Sequence, residues 1–175
     1  MIKKINHIAM VVPDLKQATS FWVEALGLTL GDIEPVPEQG VDIAFLPVGE
    51  SEIELLEPVD EVSGVARYLN KYGPGMHHIC FEVEGMETVL ERLKAAGVPL
   101  IDEEPTIGSG GKKIAFVHPK GTGGVLVELY ELPPAEAKQT RLASVRHRLS
   151  QKGHVYSAGL QALWSGFRQG NSEAE

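Results

Sequence analysis

Two stretches decide the reading of this chain: "INHIAMVV" at residues 5–12 and "MHHICFEV" at residues 76–83. Laid over one another, they put His7 on His78, Ile8 on Ile79 and Ala9 on Cys80. Each alternates as a strand does and each opens on a histidine followed by isoleucine and a small residue. A lone histidine at a strand start is an ordinary hydrogen-bonded residue; the same phrase written twice is a repeat, and a repeat governs the fold.

The match continues outward. After His7 the strand runs to Pro13-Asp14, a helix start, and "LKQATSFWVEALG" then sets Leu15, Ala18, Trp22, Ala25 and Leu26 on one helical face, with Gly27 closing it. After His78 the strand gives way to "GMETVLERLKAAG", with Met86, Val89, Leu90, Leu93 and Ala96 on one face and Gly97 in the same closing role. Further on, residues 40–58 lie over residues 111–133, Ile43-Ala44-Phe45 over Ile114-Ala115-Phe116 and Glu54 over Glu128. The expected fold class is therefore α+β: two tandem βαβββ units forming a curled mixed sheet around a metal-containing cavity, with helices on the outer face. The expected domain is residues 1–135, with repeat one at 1–58, a linker with one short helix at 59–75 and repeat two at 76–133. Residues 136–175 form a basic tail with helical spacing at Leu142, Val145 and Leu149, and again from Tyr156 to Phe167; these helices are expected to pack on the body or a second subunit, a membrane-surface contact being the other use of such a face.

At 175 residues and 43% hydrophobic, the chain buries a core without disulfides, and its single cysteine fits a reducing, cytoplasmic setting. Its net charge of −8 is uneven: residues 1–135 carry 10 Lys/Arg against 21 Asp/Glu, and residues 136–175 carry 6 against 3. An acidic body excludes nucleic acid as the main partner, because phosphate neutralisation supplies most of that affinity. No signal peptide or membrane span is expected, since no apolar run approaches ~20 residues.

The polar positions carry the chemistry. Strand alternation puts His7 with Ala9 and Val11, and His78 with Cys80, on the face away from the covering helices. Glu54, between Ile53 and Leu55, and Glu128, between Val127 and Leu129, take the same face. A carboxylate in such a setting is costly unless it is paired or holds a metal. Two imidazoles and two carboxylates at matched positions suit a divalent first-row ion such as Co²⁺, Mn²⁺, Fe²⁺, Ni²⁺ or Zn²⁺, and four ligands on an octahedral ion leave two positions open. The expected ligands are His7, Glu54, His78 and Glu128. His77 is expected on the helix side, as a structural residue or one that supports the neighbouring ligand, His118 is a weaker candidate, and His147 and His154 fall in the tail.

The paired units, together with "NHIAMVVPDL", "IELLEP", "GMHHICFEV" and "IDEEPTIGSGGKKIAFVHPKGTGGVLVEL", resemble the vicinal oxygen chelate superfamily and, within it, the methylmalonyl-CoA epimerase family, over residues 1 to about 131. The resemblance implies a homodimer acting on an acyl-CoA thioester. It implies interconversion of (R)- and (S)-methylmalonyl-CoA by removal and return of the α-proton through a metal-chelated enolate. The family's metal ligands carry over to His7, His78 and Glu128, with Glu54 at a fourth position that is glutamine in some members. Epimerisation needs acid/base groups on both faces of the reacting carbon. Glu128 is expected to serve as one. Asp42, provided Ile43 and Phe45 face the helices, or Glu38 in the preceding loop, is expected as the other, and Lys113 as a contact to a substrate oxygen. "GSGGKK" at 108–113 lacks the spacing of a phosphate loop and is expected near the cavity mouth. A glyoxalase-like isomerase or lyase, or a metal-free binding protein of the same fold, are the rival readings.

Overall fold

The computed structural model describes residues 1–37, 39–107 and 112–134. Strand β1 (Ile2–Val11) leads to α1 (Leu15–Thr19) and a π-helical turn (Ser20–Ala25), then to β2 (Ile33–Val36), β3 (Val41–Val48) and β4 (Ser51–Pro58). Helix α2 (Gly64–Tyr72) joins this half to β5 (Gly75–Val83), α3 (Met86–Ala95), β6 (Thr106–Ile107), β7 (Lys113–Val117), a 3₁₀ turn (Pro119–Gly121) and β8 (Leu126–Glu131). The eight strands form one curled, unclosed sheet in the order β2-β3-β4-β1-β5-β8-β7-β6. The order reads the same from both ends when the halves are exchanged. In each, the first strand runs parallel to the last (β1 with β4, β5 with β8), and the two first strands meet antiparallel at the centre.

Each half covers its outer face with its own helix. In the second half, Met86, Val89 and Leu90 of α3 pack on Val83, Ala115, Val117 and Leu129. In the first, Leu15 packs on Val12, Ala44, Leu46 and Leu55, with Ala18, Trp22, Val23 and Leu28 alongside. That face differs from the expected one: Ala25 and Leu26 are exposed and Val23 turns inward. The reason is the π turn, in which Leu26 N–H donates to the carbonyl of Phe21, five residues back, at 2.8 Å. One extra residue in a turn rotates everything beyond it off the 3.6-residue stripe. Gly27 and Gly97 both end their helices at positive φ, 83° and 68°, as the matching sequences require.

Helix α2 lies on the opposite face of the first half. Val65 packs with Ala9, Val11, Val41, Ile43 and Leu56, and Tyr68 and Leu69 join them. Strand β3 is consequently apolar on both sides, Ala44 and Leu46 toward α1, Val41, Ile43 and Phe45 toward the interior. Among the described residues no helix is long and apolar enough to cross a membrane. The tail, 136–175, lies outside the described residues.

Candidate metal centre

The sheet register lays the chemistry out in two rows across the central strands. Residues directly opposite one another share a face. One row runs Glu54 on β4, Ala9 on β1 and His78 on β5; the other runs His7 on β1, Cys80 on β5 and Glu128 on β8. The rows continue to Phe45 beside Glu54 and Phe116 beside Glu128. The pseudo-symmetry turns one row into the other. A small residue stands at the middle of each, and both Ala9 and Cys80 are fully buried, so the flanking side chains lean together over them.

Among the described residues the buried polar side chains are these four: His7, Glu54, His78 and Glu128, each 7–8% exposed. His7 Nε2 lies 3.0 Å from His78 Nε2 and 3.3 Å from Glu128 Oε2, and His78 Nε2 lies 3.0 Å from the same oxygen. Glu54 Oε1 is 3.2 Å from the other nitrogen of His7, Nδ1. His7, Glu54 and His78 can offer one atom each, all within 4.8 Å of one another, and so can His7, Cys80 and Glu128.

Charge in so buried a cluster is coupled. Burial pushes Glu128 up, but its close contacts with the His7 and His78 rings outweigh it and pull this carboxyl down to about 2. Burial pushes Glu54 up to about 7, against the pull of His7 and, more weakly, Lys112, while Glu128 and Glu52 repel it. Burial opposes a charge on His7, yet its bond to Glu128 and the fields of both carboxylates raise it. His77, buried beside His78, falls to about 4. Burial and the same carboxylates push the Cys80 thiol up, so it stays protonated.

The donor set fits a divalent metal on its own geometry. With metal bonds of about 2.1 Å, neighbouring ligand atoms sit about 3.0 Å apart in an octahedron and about 3.4 Å in a tetrahedron. The three contacts among His7 Nε2, His78 Nε2 and Glu128 Oε2 span 3.0–3.3 Å. Three electron-pair donors at that spacing repel unless a cation lies between them, and nitrogen and carboxylate oxygen together suit first-row divalent ions.

Other expected site residues fall elsewhere. Asp42 lies opposite Glu57, on the outer face with Ala44 and Leu46. The expectation for it required Ile43 and Phe45 to face the helices; they face the interior, so Asp42 does not share the face of His7 and Glu54. Lys113, its counterpart, also lies outward, ion-paired with Glu87 of α3 and 3.7 Å from Glu131. It is thus no contact for a substrate in the cavity. Glu38 and residues 108–111 lie outside the described residues, as do His147 and His154. His118 Nδ1 accepts from Lys120 N–H at 3.0 Å and caps the 3₁₀ turn. Lys112, one residue from the expected lysine, stands with Nζ 5.6 Å from the Tyr130 ring and acts on Glu54 through its charge. Counting back by twos from Phe116 would have found it.

A family model described as the glyoxalase/bleomycin resistance protein/dioxygenase superfamily matches residues 6–116. The chain is 42% identical to the mitochondrial methylmalonyl-CoA epimerase of Bos taurus over 128 residues, 72% of this chain and 73% of that one. It is 41% identical to an ethylmalonyl-CoA/methylmalonyl-CoA epimerase of Cereibacter sphaeroides over 134 residues, 75% of this chain and all of that one. A methylmalonyl-CoA epimerase solved in complex with methylmalonyl-CoA and NH₄⁺ superposes with a TM-score of 0.69 at 34% identity, covering 77% of this chain and 97% of that one.

Proposed function

Because the chain belongs to the methylmalonyl-CoA epimerase family, isomerases within the glyoxalase/bleomycin resistance protein/dioxygenase superfamily, we propose that it interconverts (R)- and (S)-methylmalonyl-CoA with a divalent metal held by His7, His78, Glu128 and Glu54. The observation that carries the metal is the meeting of two imidazole nitrogens and a carboxylate oxygen, one from the first repeat and two from the second, within 3.3 Å. When bound, such an ion supplies a Lewis acid for the negative charge that the thioester gathers as its α-proton leaves.

The chain's own groups do the rest. Glu128, held ionised by the two imidazoles, is one proton carrier, its second oxygen free of the ring contacts named above. Return of the proton to the other face needs a second group across the cavity. With Asp42 on the outer face, that role goes to Glu38, in the connection from β2 to β3. Phe45 and Phe116 end the two rows, each an apolar ring directly opposite a carboxylate. The chemistry belongs to residues 1–135 of a homodimer, the metal is Co²⁺, and the buried free Cys80 fits a reducing cytoplasm.

The test is proton NMR of methylmalonyl-CoA in D₂O. Washout of the α-proton with loss of optical purity, present with Co²⁺ and absent after chelation, supports the epimerase. A bound metal without exchange overturns it.

A further inference from the structure

Besides an irregularity at Lys3 near the start of β1, the two central strands pair irregularly at two positions that are related by the repeat. From Ile5↔Phe81 the register passes to His7↔Cys80, leaving Asn6 as the extra residue on β1; from Ala9↔His78 it passes to Met10↔Met76, leaving His77 as the extra residue on β5. Each bulge therefore falls on the residue immediately before a histidine of the candidate metal centre. In a regular strand, neighbours in sequence point to opposite faces and cannot touch side chain to side chain across the sheet. A bulge suspends that alternation and re-aims the side chain.

Both extra residues use the freedom identically. Asn6 Oδ1 stands 3.0 Å from His7 Nδ1, and His77 Nδ1 stands 2.9 Å from His78 Nδ1. His77 is itself held: its ring meets Tyr68 of α2 edge to face at 5.0 Å, and the Tyr68 hydroxyl donates to the Met76 carbonyl at 2.8 Å. On the far side of each imidazole, the Nε2 atoms face one another and Glu128.

We propose that Asn6 and His77 are positioning residues, each accepting the Nδ1–H of the histidine that follows it and so fixing both rings in the tautomer whose Nε2 lone pair faces the metal. An imidazole ligates through one nitrogen only when the proton sits on the other, and the partner of that N–H decides which form prevails. Two chemically different acceptors, an amide and an imidazole, occupy one position of the repeat and do one job. In the metal-free protein His7 Nδ1 has a second acceptor in Glu54 Oε1 at 3.2 Å, so the loss of Asn6 is the milder of the two there. The inference rests on the metal reading above, and its test separates the two.

The measurement is long-range ¹H–¹⁵N NMR of histidine-labelled, metal-free protein at alkaline pH, followed by Zn²⁺ titration of the same samples. In the wild type, His7 and His78 carry their protons on Nδ1. His77→Phe keeps a ring against Tyr68 and removes the acceptor: His78 becomes a tautomer mixture and Zn²⁺ affinity falls on the order of 10–100-fold. His77→Asn, which copies the first repeat, restores both. Asn6→Leu shifts His7 in the same sense by less, and Asn6→Asp rescues it; this pair reads the effect independently should His77→Phe not fold. Unchanged tautomers, or weaker Zn²⁺ binding without a tautomer change, overturn the inference while the metal reading stands. A wild type that binds no divalent ion overturns both.

Discussion

Ala9 and Cys80 occupy one position of the repeat, each at the middle of a row with a candidate ligand on either side, Glu54 and His78 about Ala9, His7 and Glu128 about Cys80. Both are fully buried. Their small size is what lets side chains on alternate strands, roughly 10 Å apart at the backbone, meet at their tips. Ala9→Leu and Cys80→Leu are therefore expected to block the centre without touching a ligand: loss of bound metal, with about 1–3 kcal/mol of overpacking in thermal or denaturant melts. Cys80→Ala should keep the metal, since the thiol stays protonated. Metal content of the purified variants checks both.

His78→Ala and Glu128→Ala each remove one corner of the triangle His7 Nε2, His78 Nε2, Glu128 Oε2. Metal and α-proton exchange are expected to disappear together. In Glu128→Ala the imidazoles also lose the carboxylate that His7 and His78 share, so metal-free stability drops as well, by about 3–5 kcal/mol for breaking a buried charge pair. Exchange NMR and chemical denaturation separate the two effects.

Asp42→Asn should retain metal and full turnover, because Asp42 sits across from Glu57 on the outer face. Glu38→Gln should retain metal and lose turnover. Metal analysis with the D₂O assay, read on optical purity, decides: one-face washout by Glu128 is expected to survive, and epimerisation persisting in Glu38→Gln would remove Glu38 as the second proton carrier.

The repeat, the mixed sheet, the joining helix and the meeting of His7, Glu54, His78 and Glu128 were legible because duplication and alternation carry them. The faces of Asp42 and Lys113 were misread for a physical reason. Helix α2 covers the interior of the first half, so β3 is apolar on both sides and alternation there cannot tell in from out. A better signal was present: Val48 pairs with Ser51 across a two-residue turn at Gly49-Glu50, with φ of 64° at Gly49. That turn fixes Phe45 opposite Glu54 and puts Asp42 on the other face. The bulges at Asn6 and His77 and the π turn after α1 have no such local signature, since each arises from how two elements meet.

Glu57 and Glu131 lie three residues past Glu54 and Glu128 and repeat one device on the outer face. Glu57 accepts from Leu15 N–H at 2.8 Å, and Glu131 from Gly85 and Met86 N–H, each closing the start of its own half's helix. Glu57→Ala and Glu131→Ala should cost about 0.5–2 kcal/mol each, the range for losing a helix cap. Metal affinity should not move. Denaturant melts beside a metal titration test the separation.

Stability of the metal-free protein should respond to pH through Glu54. Its carboxyl is raised from 4.5 to about 7 in the folded protein, first by burial and then by Glu128, against the pull of His7. Between these values the folded state holds a proton that the unfolded state has released. Stability from this group is therefore complete below pH 4.5 and is lost as pH rises to about 7, a change on the order of a few kcal/mol. Glu128, lowered to about 2, contributes with opposite sign at lower pH and is constant above 4.5. His77, lowered to about 4, also opposes the trend within the window, so the wild-type curve alone is ambiguous. The difference between wild type and Glu54→Gln cancels His77; His7, raised in part by Glu54, adds to the same downward trend only above pH 6.5, so the fall between 4.5 and 6.5 belongs to the carboxyl. That difference should fall across pH 4.5–7 in chelator and shrink when a divalent ion is added, because the ion takes the place of the proton on Glu54. A flat difference curve would mean that Glu54 is ionised throughout and that its charge is met by something other than a metal.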